Sequence, residues 1–281
     1  MPALALAVAA NDSLVVSTAW LAQHLHDPKL VLLHVDRADS AYKSGHIPGA
    51  RFLSYASVIA NRDSVRTELP DPAVLRELFE SLGISTDSRI VLYGAGPAVS
   101  RAFFTLDYVS KAGVSMLDGG LAKWRAEGKT VTRDEPAAPA RGRLEVKARP
   151  EIVATAAWVQ SHTRRPGTSF IDTRTDPEYV GTGEYSGLPN TGHIAGARQL
   201  QWQELFKDAN SLLFRDRGEL ADMYNARTQR GDTVVTYCMV GYRASMTYFV
   251  ARYLGLPAKL YDGSYEDWLR RGLPLVTGPA P

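Results

Sequence analysis

Residues 233–255 read TVVTYCMVGYRASMTYFVARYLG, which is a strand pattern, a short loop and a helix pattern in succession. The β-branched run at residues 233–237 predicts a short buried strand. Apolar residues at helical spacing then predict a helix packed on a sheet, and they are Met246, Phe249, Val250, Tyr253 and Leu254. Gly255 and Pro257 predict the end of that helix.

The loop between this strand and this helix, residues 238–243, contains Cys238, the only cysteine of the chain. A loop at this place aims several backbone N–H groups at one point, and the helix dipole adds partial positive charge. Both effects, and nearby cations, favour the thiolate form at pH 7. Gly241 permits the tight turn, and Arg243 supplies a permanent cation. We predict a nucleophile in an anion-binding loop; the alternative is a small buried hydrophobic residue.

The composition is that of a soluble globular protein, with 281 residues, of which 45% are hydrophobic and 22% charged. The net charge is +2 and no long basic run occurs, so we expect no nucleic-acid partner. No apolar run is long enough to span a membrane, so we expect no membrane partner. A single cysteine excludes an intramolecular disulfide, a cysteine-based zinc cluster and an internal resolving thiol.

The N-terminal residues 3–10 are apolar and end in small residues, as the tail of a signal peptide does. However, no lysine or arginine precedes Lys29, so the basic region of a signal peptide is missing. We expect a cytoplasmic protein, and the alternative is a periplasmic or exported protein if this stretch is the remnant of an export signal.

The chain contains one internal repeat, which predicts two tandem copies of one domain. The paired motifs occur in the same order: VSTAW and VATAAW, VLLHVDR and SFIDTR, GHIPGA and GHIAGA, RIVLY and TVVTY, and LDGGLAKW and YDGSYEDW. Cys238 matches Gly94 and Trp268 matches Trp124 with one offset of 144 residues (238 − 94 and 268 − 124). Strands that alternate with helices predict parallel sheets with helices on both faces.

The repeat divides the chain into a first domain at residues 12–128, a linker at 129–150 rich in Pro, Ala and Arg, and a second domain at 151–276. The first copy has Gly94 where the second has Cys238. We therefore expect the first domain to be catalytically inactive and to form one wall of the active cleft.

Charged residues follow a predicted strand of each copy. Asp172 and Arg174 are expected at the same sheet edge as the cysteine. We predict that Arg174 holds an anionic substrate and that Asp172 orients the loop arginine or the loop amides, whereas the alternative is a structural ion pair. Asp36 and Arg37 are the weaker counterparts in the first copy.

The remaining candidates have structural interpretations. His46 and His193 occur at matching places in both copies, including the silent one, which favours a structural hydrogen bond over a metal or general-base role. Trp124 and Trp268 are expected to be core or cleft-wall residues. Asp262 is expected to cap the helix that follows it.

Taken together, these motifs resemble the rhodanese sulfurtransferases of the two-domain thiosulfate sulfurtransferase type, over about residues 15–276. The resemblance rests on the paired GHI-x-GA motifs, the paired DG…W endings, the DTR triplet and the six-residue Cys loop found only in the second copy. It implies two tandem rhodanese-like α/β domains, each a mostly parallel five-stranded sheet with helices on both faces. It also implies that Cys238 takes a sulfane sulfur from a donor as a persulfide and passes it to cyanide or a thiol, without a metal or organic cofactor.

We assign Cys238 and Arg243 as catalytic, and Asp172, Arg174, Met239, Val240, Gly241 and Tyr242 as substrate-binding. The sulfite that leaves thiosulfate carries charge, which Arg243 and Arg174 are expected to stabilise. Animal-type thiosulfate enzymes resemble this pattern but carry cations inside the loop, where this chain has Met239 and Val240. Mercaptopyruvate enzymes have a second arginine where this chain has Glu178. We expect Glu178 to repel mercaptopyruvate and Arg243 to replace the missing cation, which favours thiosulfate.

Three alternatives stay open: a 3-mercaptopyruvate sulfurtransferase, a persulfide carrier or sensor module, and a Cys-dependent phosphatase-like enzyme. Phosphatases need five residues between Cys and Arg, whereas the spacing here (243 − 238 = 5) leaves four. The expected partners are a small-molecule sulfur donor and a thiol or cyanide acceptor. An acceptor protein such as a thioredoxin is a further candidate.

Overall fold

The structure is a computed structural model that describes residues 11–62, 65–182, 184–185, 188–189 and 191–281. The apolar stretch at residues 3–10, on which the export alternative rests, lies outside these ranges. Within them, no helix is both long enough and apolar enough to cross a lipid bilayer.

The first half of the chain alternates strands with helices. Its strands are β1 (Val15–Val16), β2 (Leu30–Asp36), β3 (Arg51–Ser54), β4 (Ala60–Arg62), β5 (Val65–Glu68), β6 (Arg89–Gly94) and β7 (Val114–Leu117). Its helices are α1 (Thr18–His24), α2 (Ser40–Ser44), α3 (Pro72–Ser81), α4 (Gly96–Tyr108) and α5 (Gly120–Ala126). Five strands form a parallel sheet in the order β1-β7-β6-β2-β3, and β4 and β5 pair as a separate antiparallel hairpin.

The second half repeats this plan. Its strands are β8 (Val153–Ala154), β9 (Thr168–Asp172), β10 (Glu184–Tyr185), β11 (Leu188–Pro189), β12 (Ala197–Gln199), β13 (Phe206–Asp208), β14 (Leu213–Phe214), β15 (Thr233–Tyr237) and β16 (Ala258–Tyr261). Its helices are α6 (Ala156–His162), α7 (Asp176–Val180), α8 (Arg217–Asn225), α9 (Ala244–Tyr253) and α10 (Ser264–Arg270). The parallel order β12-β9-β15-β16-β8 matches the first sheet, which confirms two tandem five-stranded α/β domains.

The strand register shows how the two copies correspond. Ile90 pairs with Val114 in the first sheet, and Val234 pairs with Ala258 in the second. Both positions are displaced by 144 residues (234 − 90 and 258 − 114), which confirms the offset found in the motifs.

At the neighbouring strand the displacement differs. Tyr93 lies beside His34 on β2, whereas Tyr237 lies beside Asp172 on β9. His34 is therefore the structural counterpart of Asp172, and the pairing of Asp36 with Asp172 from the sequence motifs is wrong. In the structure β2 corresponds to β9 with an offset of 138 residues (172 − 34), whereas pairing the two acidic residues requires an offset of 136 (172 − 36). The two aspartates therefore occupy different positions along their strands.

The two domains share one apolar core. Helices α4 and α9 pack against each other between the sheets, with Phe103 edge-on to Phe249 at 4.8 Å and Phe104 edge-on to Tyr248 at 5.0 Å between ring centroids. Helix α9 is consequently buried on nearly all sides, not only along the predicted stripe, because α4 covers the face opposite its own sheet.

Each domain also has an outer core on the far face of its sheet. Trp124 lies in the first of these and Trp268 in the second, which confirms them as core residues. His46 and His193 are buried, and their Nδ1 atoms lie 2.9 and 3.0 Å from the carbonyls of Tyr42 and Tyr179. Their structural interpretation is thereby confirmed.

Candidate active site

The loop that carries Cys238 follows β15 directly and is held by the first turn of α10. The backbone N–H of Cys238 donates to the Ser264 hydroxyl at 3.3 Å. The carbonyls of Cys238 and Met239 accept the N–H groups of Tyr265 and Glu266, each at 3.0 Å. The first peptide groups of the loop are therefore fixed by an element that lies 26 residues further along the chain.

Ser264 has an unusual backbone for this task. Its φ is +54°, and its counterpart in the first copy, Gly120, has a φ of +51°. A residue other than glycine in this region costs about 1–2 kcal/mol. The serine supplies the hydroxyl that binds the Cys238 N–H, which glycine cannot. The sequence analysis missed Ser264, although its signal is visible where YDGSYEDW has serine and LDGGLAKW has glycine.

The turn predicted at Gly241 is present. Its φ is +75°, and a Cβ atom built there would lie 2.6 Å from the Asp262 carbonyl oxygen. Among the described residues, no protein acceptor takes a hydrogen bond from the backbone N–H of Met239, Val240, Gly241 or Tyr242. These N–H groups lie just before the N-terminus of α9, so the loop retains several donors for an anion.

Cys238 lines a pocket of about 190 Å³ between the two domains. Arg37 and Pro97 of the first domain line it together with Trp202, Met239, Val240, Tyr242 and Arg243 of the second. Cys238 itself is fully buried, so only a small molecule or a thiol that projects into the pocket can reach its sulfur atom. Both domains form walls of this pocket, as predicted.

Arg243 and Glu178 form a bidentate ion pair, with Nη1 to Oε2 at 2.7 Å and Nη2 to Oε1 at 2.6 Å. Glu178 also accepts the backbone N–H and the hydroxyl of Thr175, at 2.9 and 2.8 Å. Burial acts to raise the pKa of Glu178, but the bonds from Arg243 and Thr175 outweigh it and lower the pKa to about 2.

This pair corrects the charge argument made from the sequence. Glu178 was expected to repel a substrate carboxylate, and Arg243 was expected to replace a missing loop cation. Both expectations treated the two residues as isolated charges, and that premise is wrong because each neutralises the other.

Asp172 and Arg174 are both fully buried and form the second ion pair, with Nη2 to Oδ2 at 2.7 Å. The Arg174 guanidinium lies 4.1 Å from the ring centroid of Tyr265, whose N–H holds the Cys238 carbonyl. Neither Asp172 nor Arg174 lines the pocket. The structure therefore places them as the structural ion pair that was the alternative, beneath the residue that supports the loop, and not against the substrate.

A third ion pair joins the domains. Arg101 on α4 forms two hydrogen bonds with Asp262, one of them from Nη2 to Oδ2 at 3.2 Å, and both side chains are buried. The expectation that Asp262 caps α10 is wrong, because that helix has no side-chain cap and the carboxylate binds Arg101 instead. Gly241 packs directly on this pair. Nothing in the sequence around Arg101 marked it as part of the site.

The β4–β5 hairpin of the first domain also reaches the loop. The Thr67 hydroxyl donates to the Val240 carbonyl, and Arg66 Nε lies 3.1 Å from Glu266 Oε2. The first domain therefore supports the loop as well as forming a wall of the pocket, although it has no cysteine of its own.

Comparisons with known proteins agree with this architecture. A profile of the rhodanese-like domain matches residues 17–127 and again residues 155–271. The sulfur carrier protein TtuD of Thermus thermophilus is 32% identical over 96% of this chain and 98% of its own. A thiosulfate sulfurtransferase of Pseudomonas aeruginosa is 32% identical over 91% of this chain and 93% of its own. SseA of Escherichia coli, a 3-mercaptopyruvate sulfotransferase of known structure, aligns with a TM-score of 0.77 at 25% identity, over 89% of this chain and 98% of its own. The chain therefore belongs to the rhodanese family of sulfurtransferases, with two rhodanese-like domains in tandem.

Proposed function

We propose that this chain is a thiosulfate sulfurtransferase in which Cys238 carries the transferred sulfur as a persulfide. The observation that carries the proposal is the position of Cys238, in a pocket between the domains and beside backbone N–H groups that the described protein does not use. In this proposal the second domain, residues 151–276, is catalytic, and residues 129–150 link it to an inactive first domain at residues 12–128.

The reaction proceeds by two displacements at sulfur. The Cys238 thiolate attacks the outer sulfur of thiosulfate, the S–S bond of thiosulfate breaks, and its electron pair leaves with sulfite. The product is the persulfide anion Cys–S–S⁻, which the loop N–H groups of residues 239–242 stabilise. A thiophilic acceptor, cyanide or a thiol, then attacks the terminal sulfur and restores the thiolate. Neither step requires an external oxidant or reductant.

The other assigned residues divide by their placement. Met239, Val240, Gly241 and Tyr242 contact the donor through the loop backbone and the pocket wall. Arg243 acts together with Glu178, since their ion pair closes the end of the loop that leads into α9. Asp172 and Arg174 act indirectly, by supporting α10.

Two alternatives draw support from the relatives. SseA is a 3-mercaptopyruvate sulfotransferase, and mercaptopyruvate would use the same thiol and the same persulfide. TtuD is named a sulfur carrier protein, and a carrier would hold its persulfide for a protein acceptor such as a thioredoxin. The full burial of Cys238 suits a carrier, because it shields the persulfide from solvent.

The test measures persulfide formation and turnover separately. We expect thiosulfate to add about 32 Da, one sulfur atom, to the intact protein and to release sulfite. Cyanide should then remove that mass and sustain catalytic thiocyanate formation. Cys238→Ser should lower both by about a thousandfold or more, with a melting temperature within about 3 °C of the wild type.

Each alternative gives a different result. A lower half-saturating concentration and faster persulfide formation with 3-mercaptopyruvate would assign the enzyme to that donor. Stable persulfide without turnover on cyanide or small thiols would indicate a carrier. If no donor adds mass to the wild-type protein, or if Cys238→Ser remains active, the persulfide mechanism is wrong.

A further inference from the structure

Thiosulfate carries two negative charges, so a site that selects it requires positive charge that no protein carboxylate already compensates. Three arginines near the thiol do not meet this requirement in the described structure. They are Arg243, paired with Glu178; Arg101, paired with Asp262; and Arg174, paired with Asp172. The cation for the donor must therefore come from elsewhere in the pocket wall.

Arg37 meets the requirement. It follows β2 of the first domain, it is exposed, and it lines the pocket together with Cys238. Among the described residues, its guanidinium forms no ion pair with a carboxylate. The neighbouring Asp36 carboxylate lies 2.6 Å from the backbone nitrogen of Arg37 and accepts its N–H.

Two tyrosines hold the Arg37 guanidinium in place. Its central carbon lies 4.8 Å from the ring centroid of Tyr242 and 5.7 Å from that of Tyr55. The two rings meet edge to face at 4.9 Å. Burial raises the pKa of both phenols, so both rings stay neutral at physiological pH and add no counter-charge. Stacking on a neutral aromatic platform restricts the guanidinium without neutralising it.

We propose that Arg37 is the donor-binding cation of this site and that the catalytically inactive domain supplies it. The guanidinium receives the oxyanion end of the donor while the outer sulfur faces Cys238. The planar guanidinium of Arg37 suits two oxygens of a tetrahedral oxyanion. These oxygens stay on the sulfite that departs, so Arg37 also faces the charge of the leaving group. The ligand class is therefore a thio-oxoanion, with a dianion preferred over a monoanion. This inference rests on the proposed function, since it names the residue that selects the donor.

The test compares two donors with the same transferable sulfur. Thiosulfate is a dianion, whereas methanethiosulfonate has a methyl group in place of one oxygen and carries one negative charge. In both cases the outer sulfur passes to Cys238, and sulfite or methanesulfinate leaves with the electron pair. Persulfide formed in a single turnover is measured by intact mass against donor concentration, which reports donor binding without the acceptor step.

The variants are Arg37→Gln, Arg37→Lys and the matched control Arg89→Gln. Arg89 is also exposed and also lies over an aromatic ring, 5.3 Å from the Trp20 centroid, but it lies at the start of β6 and does not line the Cys238 pocket. The control therefore removes the same kind of charge and the same stacking from the same domain.

We expect Arg37→Gln to raise the half-saturating thiosulfate concentration about tenfold, the size of one charge-assisted contact. The increase for methanethiosulfonate should be about threefold, because this donor carries one negative charge fewer and is attracted less strongly by Arg37. Arg37→Lys should recover only part of the loss, because lysine keeps the charge but lacks the planar fork and the stacking. Arg89→Gln should match the wild type. An unchanged half-saturating concentration in Arg37→Gln, or equal losses for both donors, overturns the inference. Failure of the wild type to form persulfide would overturn the proposed function instead.

Discussion

Replacing Arg101 with methionine should destabilise the protein strongly, because the change leaves the Asp262 carboxylate buried between the domains without a partner. The side chains of Arg101 and Asp262 are 0% and 3% exposed, so water cannot take over from the guanidinium. Breaking a buried ion pair by removing one member costs about 3–5 kcal/mol. With a urea m-value of about 3 kcal/mol/M for a chain of this size, the unfolding midpoint should fall by about 1–1.7 M.

Urea unfolding at pH 7, followed by tryptophan fluorescence, measures this shift. The matched control is the double variant Arg101→Met/Asp262→Asn, which removes both charges. We expect it to recover most of the lost stability, because no uncompensated charge stays buried. A midpoint shift below about 0.3 M in the single variant would show that the pair is not a significant source of stability. A double variant as unstable as the single one would show that lost packing, and not the stranded charge, causes the effect.

The remaining predictions concern the loop turn and a buried acid. Gly241→Ala should cost about 2 kcal/mol and slow persulfide formation, since it places a Cβ atom on a left-handed backbone and against Asp262. The control is Gly128→Ala, where φ is +70° and nothing lies within 4 Å of the added Cβ, and it should cost less and leave persulfide formation unchanged. Burial, with Asp262 nearby, raises the pKa of Glu68 to about 7. Wild-type stability should therefore fall as pH rises from about 4.5 to about 7, because the folded state binds the proton more tightly. Glu68→Gln should raise the melting temperature at pH 8 and much less at pH 5; an equal rise at both would refute this ionisation.

The Cys loop shows how much local sequence could predict. Strand β15, Cys238 and helix α9 are contiguous, so hydrophobic periodicity and one glycine were enough to place the thiol between a strand end and a helix start. The duplicated motifs extended that interpretation to two domains with parallel sheets, and the structure shows that the two sheets share one strand order. These features depend on residues a few positions apart, for which the period of the backbone sets which side chains share a face.

The charged residues show where sequence reasoning failed. Arg243 binds a carboxylate 65 residues away, and Arg101 binds one 161 residues away in the other domain. No periodicity connects such positions, so the sequence could not show that Arg243, which was assigned as catalytic, is paired with a carboxylate, or that Arg101 belongs to the site. Arg37 shows the reverse case, because it was taken as a weak counterpart in the silent copy but lines the pocket of the thiol.

The order of residues along the chain was sufficient to identify the duplicated domain and the family, and to predict the nucleophile. The tertiary structure, in contrast, established which arginines are paired with carboxylates and that Arg37 lines the pocket without such a pair. The physical reason is that a turn or a helix depends on near neighbours in the chain, whereas the net charge of a binding site depends on distances of a few ångströms between distant segments.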